Sequence, residues 1–566
     1  MNDIVWLTMR RMRTPLIVLI LVYSLSVLGL VMIPGVDESG REIQIDYLHA
    51  AYFIAIMATT IGFGEFPEAF TAAQRLYVFI IIFPNVIAWL YSIGTILSLF
   101  LDPQFRGVLH RTQFARRIHW IGGGFYIVCG FGNTGSMIVR GLLRRGITAV
   151  ILEREQAIIH SMALEDDISH LPALAGDVTD RRLLELAGLH KNNCLGIMAI
   201  TNEDHANLTI AITSKLLRPE LPVLARSETR RVSANMASFG TEERVDPYTI
   251  FAERLYLALT SPTKYLVQDW LISVPGSKLR TEMNPPSGRW IIAGLGRFGS
   301  RIAPQLEKAG MPYTVIDVHP DRVKNREGAV LGRGTEAETL VQAGVKDAVG
   351  IIAGTGDDMD NLSIIMTALE LNPGLFAVGR QETQQNDELF ASSGADLVAR
   401  RSLIVARRIL AMATTPLLRV FLTHLVLEDE SFARKVKTRL DAVLHGRAPN
   451  LWMDDLSRET AAAISIAAKE NIAIRLEHIT HNLRLEKPEK LDCVCLLLER
   501  GALRLFLPGP RQELLEGDRL LFAGRGSARR LIRWTLTDPN SLISFATGRQ
   551  HPRGAIGRWL AGNNTV

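Results

Sequence analysis

Two long uncharged stretches constrain this chain before anything else does. Pro15 to Ile33 is nineteen residues without a charge, and Leu76 to Leu101 is twenty-six more. As helices they reach about 28 and about 39 Å, enough to cross a bilayer's hydrocarbon core. A cleaved leader is the other use of an N-terminal apolar run, but this one exceeds the usual apolar length and no small-residue cleavage site is evident. Arg10, Arg11 and Arg13 precede the first run, and Arg106, Arg111, Arg116 and Arg117 follow the second. Residues 34–74 hold six acids and, as a base, only Arg41. Positive charge is retained on the cytoplasmic side, so both termini are expected there.

Between the runs, residues 47–58 are apolar and helix-compatible but too short to span, and they lead directly into Thr59-Thr60-Ile61-Gly62-Phe63-Gly64. Gly62 and Gly64 can take backbone angles closed to other residues, so successive carbonyls can point one way. Four such loops around an axis can replace the hydration shell of K+ with carbonyl oxygens, with K+ held at Thr60, Ile61, Gly62 and Phe63. Irregular backbone at membrane depth is tolerable where it lines an ion path. The segment resembles the potassium-channel filter Thr-Val-Gly-Tyr-Gly, departing from it at Ile61 and Phe63. No arginine-repeat helix precedes the loop, so gating is expected to come from elsewhere. Pro84 and Gly94 in the second run could let the inner helix bend or could simply permit close helix packing.

The 566 residues correspond to about four domains, and the net charge of +5 is too mild to suggest nucleic acid as a partner. The four cysteines form no CxxC pair, which removes zinc and disulfide scaffolds. After a basic connection, Phe125-Tyr-Ile-Val-Cys-Gly130-Phe-Gly132-Asn-Thr-Gly135 reads as strand, glycine turn and helix start. Eighteen residues beyond Gly135, a second strand ends at Glu153, where an acid would meet a ribose hydroxyl. The array recurs as Trp290-Ile-Ile-Ala-Gly294-Leu-Gly296-Arg-Phe-Gly299, with Asp317 at the same distance. Later landmarks recur at an offset of 154 residues: Thr201 with Thr355, and Arg226 with Arg380. Two Rossmann-like units in tandem are expected.

A pore followed by two such units resembles the prokaryotic two-transmembrane potassium channels with tandem RCK (KTN or TrkA-N) domains and a small TrkA-C lobe. The expected fold is a membrane α-helical pore, two transmembrane helices plus a pore helix, joined to tandem α/β Rossmann-like domains. The expected divisions are a pore domain over 1–103, a linker over 104–122, a first RCK domain over 123–285, a second RCK N-lobe over 286–418, a TrkA-C-like lobe over 419–536 and a tail over 537–566. The resemblance implies a homotetramer in the bilayer of a cell inner membrane, with eight RCK units in a cytoplasmic ring that binds nucleotides or divalent cations.

Gly130, Gly132 and Gly135, with Asn133 and Thr134, would bring the backbone to a pyrophosphate at a helix N-terminus. Gly294, Gly296 and Gly299, with Arg297 and Phe298, offer the same cradle, Arg297 adding a charge. Glu153 and Asp317 suit an unphosphorylated ribose, so NAD, ADP, AMP or ATP is preferred over NADP. By family analogy Thr201, Arg226, Thr355 and Arg380 would line the remaining walls. Asp177 in the first copy is answered by Arg333 in the second, so the two clefts are expected to prefer different ligands. Either copy could instead keep its glycines only for tight packing. For Ca2+, the other ligand the family uses, the oxygen donors would be Glu203, Asp204 and Glu228 in the first copy and Asp357, Asp358 and Asp360 in the second, though acids at helix starts also serve as simple caps.

Ion flow through such a pore is passive, so no catalytic residues are expected. A membrane-anchored NAD-dependent oxidoreductase would explain the glycine fingerprints without the filter, and would need a proton-transfer group that the sequence does not display. A regulatory subunit of a separate transporter would need no pore of its own.

Overall fold

The computed structural model describes residues 2–36, 41–62, 69–279, 283–324 and 326–548. The chain divides into two compact units, 1–120 and 121 onward.

In the first unit, helices Asn2–Met32 and Ala72–Leu101 contain stretches, 12–32 and 72–99, long and apolar enough to cross a membrane. The short helix Tyr47–Ala58 starts where the Asp46 carboxylate accepts the His49 amide at 2.8 Å. Leu30, Ala50, Ile54 and Ile81 form a small core shared by the three helices. Polar bonds tie the long helices: Asn85 Nδ2 donates to Ser26 Oγ at 2.7 Å, buried between them, and Tyr77 donates its hydroxyl to the Leu25 carbonyl at 3.1 Å. The second long helix runs without a break through Pro84 and Gly94. Most of the segment expected as a linker, 104–122, is itself a helix, Pro103–His119. Its basic last turn complements the carbonyl end of the helix dipole.

The second unit opens with six parallel strands: β1 Phe125–Cys129, β2 Thr148–Glu153, β3 Ala173–Ala175, β4 Cys194–Ala199, β5 Val223–Arg226 and β6 Glu243–Val245, ordered β3-β2-β1-β4-β5-β6. A second sheet repeats this with β7 Trp290–Ala293, β8 Tyr313–Asp317, β9 Val330–Leu331, β10 Gly350–Ala353, β11 Phe376–Gln381 and β12 Leu397–Arg400, ordered β9-β8-β7-β10-β11-β12. β1 and β7 are buried at every residue because helices cover both sheet faces, which is why they read as continuous apolar runs. The order reverses between β1 and β4, and between β7 and β10; crevices open at the carboxyl ends of strands at such points.

Each sheet ends in a broken helix. Pro247–Thr260 and Pro262–Ile272 meet at Ser261, and Arg401–Thr414 and Pro416–Leu427 meet at Thr415. Ser261 (φ −150°, ψ 69°) and Thr415 (φ −146°, ψ 68°) have nearly the same backbone, because a residue before proline is barred from helical angles. The first arms are exchanged. Tyr248, Phe251 and Leu255 pack against Phe298, Ile302 and Leu306 of the second copy, and Val405, Ala406 and Ile409 pack against Ile138, Val139 and Leu142 of the first.

The remaining lobe is an antiparallel sheet of Asn450–Asp455, Arg519–Gly524, Cys493–Arg500 and Leu503–Phe506 in that order, covered by helices. Leu266, Val267 and Trp270, from the first copy's second arm, enter its core. The lobe also extends past 536, where a tail was expected: helix Pro539–Thr547 buries Leu542 and Ile543 in the same core as Trp452 and Phe522. Cys493 and Cys495 are buried, and burial pushes both thiols well above the usual range.

Phe298, expected at the nucleotide cradle, is fully buried and meets Tyr248 edge-on at a centroid distance of 6.0 Å. Phe298→Ala should cost about 3–5 kcal/mol, read as a lower denaturation midpoint of the purified chain; an unchanged midpoint would place this ring outside the core.

Candidate functional site

At the end of helix Tyr47–Ala58 the backbone turns sharply. Thr59 donates its hydroxyl to the Ala55 carbonyl at 2.8 Å, and the Ile61 amide reaches back to the Ile56 carbonyl at 3.2 Å. Thr60 (φ 60°) and Gly62 (φ 65°) lie in the left-handed region, and Ile61 between them does not. The Thr60 amide also reaches the Met57 carbonyl at 3.2 Å, so Thr60 closes the helix in a left-handed cap. For glycine this costs little, but for a β-branched threonine it is a strained position. Phe63 and Gly64, the rest of the expected filter, lie outside the described residues.

In each Rossmann-like copy the three glycines have separate physical duties. Gly130 (φ 104°) and Gly294 (φ 98°) turn the chain out of β1 and β7. A Cβ on Gly135 or Gly299 would sit 2.2 Å from the carbonyl oxygen of Gly130 or Gly294, so these two let the helix start press against the loop. Gly132 would place a Cβ in open space, and Gly296 would meet only the tip of Arg322 at 4.0 Å. The middle glycine therefore faces the cleft, beside the amides of helices Asn133–Leu143 and Gly299–Lys308. Unpaired amides there, with the helix dipole, favour an anion.

The acids at the ends of β2 and β8 organise these loops. Glu153 accepts the amides of Phe131 at 2.5 Å, Arg154 at 2.6 Å and Glu155 at 3.1 Å. Asp317 accepts the Leu295 amide at 2.7 Å and the His319 amide at 2.9 Å, with Arg322 Nη1 at 3.2 Å. Burial works against its ionisation, yet the hydrogen bonds from His319, Leu295 and Arg322 hold its carboxyl below the usual carboxylate range.

The first cleft encloses about 880 Å³ and the second about 390 Å³. Gly130, Gly132, Asn133, Thr134, Gly135, Glu153, Asp177 and Thr201 line the first; Gly294, Gly296, Asp317, Thr355 and Arg380 line the second. Their charges differ. The first presents five carboxylates and two arginines, whereas the second presents two carboxylates and three arginines, Arg322 and Arg333 among them. Asp177 is held ionised by the Thr179 amide and hydroxyl, and Arg333 stands in the other cleft.

Two expected cleft residues are placed elsewhere. Arg226 is 3% exposed and does not line the first cleft; it pairs with Glu228 and donates to Asn202 Oδ1 at 2.9 Å. Arg297, expected to add charge to the second cradle, turns instead to Glu228 of the first copy. Glu228 also receives Arg401 at 3.2 Å, and Arg401 reaches Glu382 of the second copy at 2.9 Å. Glu382 in turn pairs with Arg380, whose guanidinium also donates to Tyr248 at 2.8 Å. Burial opposes the charge on Arg401, but Glu382 and Glu228 hold it even more firmly protonated than usual. Sequence reading missed this junction, and missed that Arg401, Ser402 and Glu382 of the second copy border the first cleft. Arg401 follows Arg400 in an unremarkable basic run, and nothing in the spacing marks it.

Five of the six acids considered for Ca2+ are engaged otherwise, and Asp360 lines the second cleft. Glu228 is surrounded by arginines, the wrong setting for a cation. Asp204 accepts the amides of Glu228 and Thr229 at 2.9 Å, and Asp358 accepts those of Glu382 at 2.7 Å and Thr383 at 2.9 Å. Asp357 caps helix Asp358–Leu371 through Met359 and Asp360. Glu203 instead pairs with Arg154. Among the described residues, no three acids, histidines or cysteines gather as a metal site.

Residues 16–102 match the ion channel family, and 126–247 and 290–400 each match the TrkA-N domain. Potassium channel protein 1 of Methanocaldococcus jannaschii is 28% identical over 206 residues, 36% of this chain and 60% of the relative. Probable potassium channel protein 2 of that organism is 22% identical over 216 residues, 37% of this chain and 60% of the relative. The chain thus matches about three fifths of the length of either protein. Among solved structures, the GsuK channel matches with a TM-score of 0.49 and 18% identity, covering 94% of this chain and 99% of that one.

Gly135→Ala should destabilise the first copy by about 1–3 kcal/mol through the clash with Gly130, whereas Gly132→Ala should leave stability unchanged. Equal denaturation midpoints for the two variants would overturn this division. Glu228→Gln should cost about 3–5 kcal/mol by leaving buried arginine charge unpaired, read as a lower denaturation midpoint.

Proposed function

Taking the chain as a membrane protein that joins an ion channel domain to two TrkA-N domains, we propose that it is a nucleotide-regulated potassium channel. Four copies would surround one filter, K+ would pass down its gradient, and eight TrkA-N units would form the regulatory assembly. The observation that carries this reading is the short helix Tyr47–Ala58 delivering Thr60 and Gly62, both left-handed, between two helices of membrane-crossing length. Carbonyls of such a loop, gathered from four copies, would suit a dehydrated cation. The charge pattern around the spans favours both termini on the cytoplasmic side of a cell inner membrane.

The regulatory ligands are nucleotides of the NAD, ADP, AMP or ATP type, their phosphates at Gly132 and Gly296 and their riboses near Glu153 and Asp317. The acid-rich first cleft favours a ligand of low charge per phosphate, such as NAD. The arginine-rich second cleft tolerates ADP or ATP. Moving a gate from 1:99 to 99:1 takes about 5.5 kcal/mol of differential binding, or roughly 1.4 kcal/mol at each of four equivalent sites. A tenfold preference per site is enough.

Purified chain in liposomes should pass K+ in preference to Na+, with flux altered by NAD or ADP. Gly132→Asp, which places a carboxylate where the first phosphate would sit, should abolish the NAD response and leave selectivity intact; Gly296→Asp should do the same for ADP. Nucleotide responses unchanged in both variants would refute the cleft assignment. Flux absent under every condition, together with NAD turnover, would refute the channel.

A further inference from the structure

A third cavity, of about 630 Å³, lies away from both glycine loops. The nucleotide clefts open at the carboxyl ends of the strands, whereas this one reaches Phe376 and Leu397, the first residues of β11 and β12. Its other walls come from Pro247–Thr260, Pro262–Ile272, Arg401–Thr414 and, through Leu422, Pro416–Leu427, all four arms of the broken helices. Its volume falls in the range of small-molecule sites.

The lining combines an apolar floor with an excess of positive charge. Phe251, Phe390, Leu397 and Leu403 supply the floor; of the five cationic side chains, Arg400 and Arg408 pair with Asp387 and Glu243 outside the lining, which leaves Arg254, Lys278 and Arg407 against two lining carboxylates. Both carboxylates are already engaged: Asp269 pairs with Arg254 at 2.5 Å, and Asp396 accepts the Ala377 amide at 2.8 Å. The wall also holds unused hydrogen-bonding capacity. Arg254 uses Nη2 for Asp269 and lies over the Tyr265 ring at 5.2 Å, but its Nε is buried without a partner, as is Oε1 of Gln268. A buried guanidinium donor left unmade is costly, and a ligand oxygen would recover that cost.

We propose that this cavity is a binding site for a small amphipathic carboxylate, its aryl or short alkyl body on the Phe251–Leu403 floor and its head against Arg254. Because the walls are the arms that each copy lends to the other, an occupant would fix the angle at Ser261 and Thr415. The site stands independently of ion conduction and of the nucleotide reading.

The test uses the full chain in lipid nanodiscs and 19F NMR of 4-(trifluoromethyl)benzoate, with the neutral 4-(trifluoromethyl)benzyl alcohol as control. Saturable line broadening is expected for the benzoate, at least tenfold weaker for the alcohol. Leu403→Trp, which fills the floor, should remove it. Arg254→Lys, which keeps the pairing with Asp269 but loses Nε–H, should weaken it about tenfold, the scale of one charge-assisted hydrogen bond. An unchanged far-UV circular dichroism spectrum and denaturation midpoint on the same samples show that both variants remain folded. Absence of saturable broadening in the parent chain would overturn the proposal. So would undiminished binding in a folded Leu403→Trp variant, or equal binding of the alcohol.

Discussion

Burial of each copy's terminal helix on the other copy is the interaction on which the ligand-binding half of the chain depends. Neither sheet covers its own core completely. Phe298 and Ile302 are sealed by Tyr248 and Phe251, and Ile138 and Leu142 by Val405 and Ile409. The exchange is apolar and therefore stable but undirected; polar groups give it register. Arg401 bridges Glu228 and Glu382, the equivalent acids of the two copies, and Arg297 crosses from the second glycine loop to Glu228. A displacement of either terminal helix must break charge-assisted bonds with little access to water, so the two copies are held as one body.

That junction changes the meaning of the glycine loops. Each loop is braced from below by an acid, Glu153 or Asp317, whose oxygens accept loop amides. Those acids hold the cradle open in advance of any ligand. The second copy contributes Arg401 and Glu382 to the first cleft, whereas Arg297 is drawn out of the second. Tandem duplication thus produced two clefts of opposite charge balance, and the asymmetry comes from each copy's own residues, Glu155, Asp177 and Glu203 in the first against Arg322, Arg333 and Arg380 in the second, since the charges of the lent Arg401 and Glu382 cancel.

Much of this was legible in the sequence because it rests on local physics. Uncharged runs marked the long helices, glycine spacing marked both strand-to-helix turns, and the recurrence of Thr201 and Arg226 as Thr355 and Arg380 marked the duplication. The middle glycines, Gly132 and Gly296, line the clefts. Sequence reading failed where a side chain chooses among distant partners. Arg226 was expected on a cleft wall and Arg297 at a phosphate, and both are instead committed to Glu228; Phe298 was expected at a ligand and fills the core. Of the acids weighed for a cation, all but Asp360 cap turns or pair with arginines, because carboxylates at helix starts have backbone amides within reach. The helix past residue 536 escaped notice because a weak amphipathic pattern becomes a helix only when a core such as that of Trp452 and Phe522 receives it.

By itself the sequence determined the kinds of structure: which segments cross an apolar phase, where the chain must turn, and that one Rossmann-like unit occurs twice. Those follow from hydropathy, from the angles open to glycine and closed before proline, and from repetition, all of which act over a few residues. Tertiary structure alone decided which copy seals which core, which arginine meets which carboxylate, and where the cavities lie. Those choices join residues far apart in the chain, such as Glu228 with Arg401, and long-range electrostatic and packing partners leave no periodic trace in the sequence that would single them out.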